Sequence, residues 1–122
     1  MTSLAVGNRR LLKLADVLDT ADAEHKRKGE PTYSQIYFNH SCGTPACALG
    51  HACAIPAIRR AGMSERDYLR SVEVFCLSNG QWHELFDSFG CGEAKTAKQA
   101  ARYIRAFVRR RSQSPTIGRQ AD

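Results

Sequence analysis

Hydrophobic positions recur every three or four residues over most of the chain, and alternation with a period of two is nearly absent. In the first segment Leu11, Leu14, Ala15, Leu18 and Ala21 fall on one face of a helix, with Asn8 as a suitable N-cap. The charge run, glycine and proline of "KRKGEP", residues 26–31, end that helix near His25. The next stretch, "TYSQIYFNH", is rich in aromatic and β-branched side chains, so a short extended or anchoring piece is expected near residues 32–38.

A second helix is predicted over 45–55, where Thr44 serves as N-cap and Pro45 sits at the first helical position, its missing N–H costing nothing. Pro56 then removes a backbone donor, which kinks or restarts the helix. Ser64 caps a third element whose apolar residues are Tyr68, Leu69, Val72, Phe75 and Cys76. Ser78 and Gln81 have capping-box spacing ahead of a short helix that buries Trp82, Leu85 and Phe86, and Thr96 with Gln99 repeats the signature. The final helix, residues 97–111, carries an apolar stripe of Ala97, Ala100, Ala101, Ile104, Phe107 and Val108. These elements define an all-α fold of about five helices. The helix of residues 45–55 is expected at the centre, with the Trp82 segment against the last helix. Residues 1–111 form one compact domain, and the polar residues 112–122 are expected to be a mobile tail.

Length and composition sharpen this picture without changing it. A chain of 122 residues is one domain's worth, and 43% hydrophobic with 25% charged residues is the balance of an ordinary globular protein. No apolar run approaches the roughly 20 residues of a membrane helix. The first residues lack a basic region followed by an apolar segment, so a cytoplasmic location is expected. Five cysteines is an odd number, which speaks against a scaffold of internal disulfides.

Charge, by contrast, is unevenly spread. Residues 1–101 carry twelve Lys/Arg and eleven Asp/Glu, whereas residues 102–122 carry six Arg and one Asp. On the last helix Lys98, Arg102, Arg105 and Arg109 are spaced by four, three and four residues, which confines them to an arc of about 60°. Such a stripe suits an anionic partner, either an acidic protein or a nucleic acid, engaged by a non-enzymatic binding or regulatory module. No membrane partner and no cofactor are expected.

The other candidate chemistry lies in "SCGTPACALGHACAIP", Ser41–Pro56. Three readings compete there. On a helix beginning at Pro45, Cys47 and His51 lie on one side, one turn apart. Cys47 in the first turn could be a thiolate nucleophile, with His51 as its base. Glu84 or Asp87, brought close by folding, could orient His51, and His83 is a competing base. Alternatively Cys42, Cys47 and His51, completed by Cys91 or His40, offer the nitrogen and sulfur donors of a zinc site, although their spacing is not that of paired Cys-x2-Cys knuckles. The third reading is packing: the run of Ala, Gly and Cys lets another helix approach closely, with or without a Cys42–Cys47 disulfide closing the turn. Packing explains the most residues. A thiol- or zinc-dependent enzyme is the alternative to the binding module.

The segment from Cys42 to Ala52, Cys-Gly-Thr-Pro-Ala-Cys-Ala-Leu-Gly-His-Ala, resembles a Cys-Gly-Thr-x-x-Cys-x-x-Gly-x-Ala signature found in a family of small, uncharacterised proteins of bacteria and their phages. Phe38, the "CLS" of Cys76–Ser78, the Leu85-Phe86 pair and Thr96 look like further counterparts, so the resemblance spans roughly residues 38–104. Cys53, Cys76, Cys91 and the arginine-rich end depart from the family's pattern. The resemblance implies a compact helical accessory protein of a mobile element, and brings no activity, cofactor or catalytic residue with it.

Overall fold

Ser3 starts the first helix: its Oγ accepts the Val6 N–H at 3.2 Å, and α1 runs from Leu4 to Arg27. The helix thus begins five residues before the Asn8 cap predicted from periodicity. Asn8 lies inside α1 and serves α6 instead, as described below. The computed structural model describes residues 2–30, 32–34, 47–64, 68–86 and 94–113. Among these, six α-helices and one 3-10 turn occur in the order α1 (Leu4–Arg27), α2 (Ala48–Cys53), α3 (Pro56–Arg60), the 3-10 turn (Tyr68–Arg70), α4 (Ser71–Val74), α5 (Asn79–Phe86) and α6 (Ala97–Gln113). No strand occurs among the described residues, and the fold is all-α.

The main pairing joins α1 to α6, with α2 against α1 as a second contact. Leu11, Leu14, Ala15 and Leu18 of α1 and Ala97, Ala100, Ala101 and Ile104 of α6 are all fully buried. The alanines bring the two helices close, and the larger aliphatics fill what remains. The α1 helix, rather than α2, is therefore the hub. Every residue of α2 is buried, which agrees with its small side chains. Pro56 occupies the first turn of a separate helix, α3, so the chain restarts there. Ser112 and Gln113 belong to α6; the rest of the predicted tail, residues 114–122, lies outside the described residues.

The third predicted element differs most from expectation. Residues 65–67 lie outside the described residues. Beyond them, a 3-10 turn leads into only one turn of α-helix. Leu69, one of the apolar residues of that element, is 58% exposed, while Ser71, Val74 and Phe75 are buried. The helix stops because Cys76 adopts a left-handed conformation (φ 55°). Its N–H then reaches Glu73 O at 3.1 Å, and the Leu77 N–H reaches Val72 O at 2.7 Å, the paired bonds of a Schellman ending made without glycine.

Arginines close that ending. Arg10 of α1 donates to Val74 O at 2.9 Å. Arg111 of α6 donates to Cys76 O at 2.7 Å and to Phe75 O at 2.9 Å. Its Nε donates to Asn8 Oδ1 at 2.6 Å, and its guanidinium lies 4.9 Å from the centroid of the Phe107 ring. The carbonyls left over at the end of α4 are thereby satisfied from both long helices. Gly7 permits the approach: a Cβ there would sit 2.3 Å from Phe75 O, so even alanine forces the backbones apart.

The caps predicted at Ser78 and Thr96 form, whereas Thr44 lies outside the described residues. Ser78 Oγ accepts the Gln81 N–H at 3.2 Å, while Gln81 Oε1 accepts the Ser78 N–H at 2.9 Å. At α6, Thr96 Oγ1 accepts the Gln99 N–H at 3.1 Å, but Gln99 Oε1 returns to the N–H of Lys95 at 2.8 Å, one residue earlier than a capping box requires. Asp22 supplies a further cap from α1. Its Oδ2 accepts the Ala97 N–H at 2.9 Å, and its Oδ1 accepts the Tyr33 N–H at 2.8 Å. A carboxylate thus meets the electropositive start of α6.

Candidate functional site

The four cations of the predicted stripe, Lys98, Arg102, Arg105 and Arg109, share one side of α6, yet they do different work. Arg105 is half-buried and donates to Asp16 at 2.8 Å and to Asp19 at 2.5 Å, both on α1. The Arg105 hydrogen bond holds the Asp19 carboxyl below the usual aspartate range, and the two aspartates raise Arg105 in turn. Arg105 is therefore a clamp between the long helices and is not part of an open basic face. Lys98, Arg102 and Arg109 are exposed, and they make no ion pair among the described residues. Lys98 adds a weaker favourable field at Asp19. Of the two cations beyond the stripe, Arg110 pairs with Glu84 of α5, and Arg111 serves the α4 ending. No acidic residue occurs on α6.

Cys47 does not lie in the first turn of a helix. It is the N-cap of α2, in extended conformation and only 6% exposed. Burial pushes its thiol up, an effect only partly offset by the N–H groups of Gly50 and Leu49. A thiol so placed stays protonated at neutral pH, which is the opposite of an activated nucleophile. Cys47, Cys53 and Cys76 form no disulfide among the described residues. Cys42, Cys91, His40 and Asp87 lie outside the described residues, and so does most of the predicted zinc set. The remaining Cys47 and His51 belong to no metal-holding group of three among the described residues. Glu84 is engaged by Arg110, and His83 is exposed with its ring 5.1 Å from that of Trp82.

His51 turns towards a residue the sequence reading did not single out. The buried His51 places Nδ1 2.8 Å from the Cys47 carbonyl oxygen and Nε2 3.3 Å from Nε2 of His25. His25, in the last turn of α1, places its own Nδ1 2.8 Å from Glu30 Oε1. The ring of Tyr33 stacks over His51 with centroids 6.1 Å apart. Both imidazoles line a cleft of about 450 Å³ between α1 and the α2–α3 junction, together with Val17, Ala54, Ile55 and Pro56. Sequence spacing held little sign of this pair, since His25 and His51 are 26 residues apart. The one local clue was the His25–Glu30 separation across a helix end.

No protein-family model, curated protein or solved structure matches the chain. No helix among the described residues is long and apolar enough to cross a membrane. The reading of function therefore rests on the residues themselves.

Proposed function

We propose that the protein is a non-enzymatic binding or regulatory module that engages an anionic partner, a nucleic acid or an acidic protein, through α6. One observation carries this reading. After Arg105, Arg110 and Arg111 have been used inside the protein, Lys98, Arg102 and Arg109 still stand exposed on a helix that has no acidic residue. Arg102 and Arg109 are separated by two helical turns, a rise of about 10 Å. Together with Lys98 they form a row of charge suited to a repeating anion. The buried, protonated thiol of Cys47 lends the alternative of a thiol enzyme no comparable support.

The test is a salt titration of binding to a labelled DNA duplex and, in parallel, to a polyglutamate peptide. For a duplex, replacing Lys98, Arg102 and Arg109 with Gln should reduce the slope of log K against log salt by about 3. Arg105→Gln should leave that slope unchanged and lower stability instead. Preference for the duplex or the peptide identifies the partner class. An unchanged slope in the triple variant, or no binding to either probe at low salt, removes the proposal.

A further inference from the structure

The histidine pair in the α1/α2 cleft has a proton count that the surrounding acceptors dictate. A backbone carbonyl can only accept, so His51 Nδ1 carries a hydrogen and donates it to Cys47 O. The Glu30 carboxylate likewise accepts from His25 Nδ1. In each neutral ring the remaining nitrogen, Nε2, then presents a lone pair, and the two Nε2 atoms face one another at 3.3 Å. Two lone pairs at that distance repel unless a cation lies between them. A proton can fill that place, and so can a metal ion.

The geometry points to a metal ion: His25 and His51 are two ligands of one divalent transition-metal cation, with zinc the first choice. Three observations support this. First, two nitrogens bound to one tetrahedral zinc at about 2.05 Å are separated by about 3.3 Å, which is the distance found. Second, each ring donates its outer N–H to a fixed acceptor, one a carboxylate and the other a backbone carbonyl. Those are the acceptors that hold metal-bound imidazoles in their tautomer and orientation. Third, both rings line an open cleft, so water or a small ligand can complete the coordination. Imidazole nitrogens select zinc, copper or nickel over calcium and magnesium, which require oxygen donors. Lys13, Glu24, Lys28 and Glu30 also line the cleft, and Glu30 is the nearest countercharge. The metal occupies the place between the two Nε2 atoms. The proposal is independent of the basic face of α6.

Calorimetric titration of zinc into the reduced full chain tests it, with thermal melts run in parallel. His25 retains some exposure, its side chain being 12% accessible, so His25→Ala is the variant expected to fold. Its folding is checked by circular dichroism. Wild type should bind one equivalent and melt at a higher temperature with zinc, and His25→Ala should lose both effects. Glu30→Ala, which removes only the outer acceptor, should weaken binding by about 10- to 100-fold. No binding to wild type at millimolar zinc would overturn the proposal. Equal affinity in wild type and His25→Ala would overturn it as well, because the ion would then sit on other ligands.

Discussion

The two sides of α1 are built on different terms. Against α6 the helix buries Leu11, Leu14, Ala15 and Leu18 completely, and the polar groups at that seam, Arg105 with Asp16 and Asp19, lie at its margin. Against α2 the same helix contributes Ala21 and His25 to a cleft that stays open and holds a hydrogen-bonded row of two histidines, a carboxylate and a backbone carbonyl. The first side derives its strength from area removed from water. The second derives its specificity from polar groups that must be matched one to one. A helix can therefore be scaffold along one face and site along the other, and the two faces should respond differently to substitution.

The strongest way to break this contrast is to remove side-chain volume on each side. Leu14→Ala should lower unfolding free energy by about 2–5 kcal/mol, because the site is closed on all sides and leaves a cavity. Val17→Ala, at the edge of the cleft, should cost about 1 kcal/mol or less. Equal losses in urea denaturation would mean that the cleft is as tightly packed as the seam. Asp22→Ala should follow at about 1–2 kcal/mol, since two backbone N–H groups lose their acceptor. Hydrogen exchange should then speed up at Ala97, in the first turn of α6. The smallest effect concerns acid. The Arg105 hydrogen bond depresses Asp19, so its contribution is present above the unfolded aspartate pKa of about 3.9 and is lost as pH falls through the lower folded value. Asp19→Asn should flatten the dependence of melting temperature on pH below about 4. It should lower stability at neutral pH by only about 0.5 kcal/mol, as befits a pair that solvent still reaches.

The closed seam was legible in the sequence, and the cleft was not. All six residues of the predicted α6 stripe are buried, and so are the five of α1. Periodicity captures burial because one helix face opposes one partner over several turns. The start of α1 escaped because Gly7 argues against an interior helical position, whereas its lack of a Cβ is what admits Phe75. Lys98, Arg102, Arg105 and Arg109 lie on one side of α6, but spacing cannot say which cations meet acids on another helix. Asp16 and Asp19, 89 and 86 residues away, decide the role of Arg105. The histidine pair left even less trace, since it depends on how α1 ends and on where α2 begins. Cys47 illustrates the same limit: a shift of the helix start to Ala48 turns a first-turn thiol into a buried cap.

The pairing of α1 with α6 also sets an order of events at the ribosome. Roughly 70 residues separate the end of α1 from the start of α6. At about 5–20 residues per second, the apolar stripe of α1 waits several seconds for its main partner. Arg111, which ties α4 to both long helices, arrives later still. Until the last turn of α6 has been made, the apolar stripe of α1 lacks its main partner.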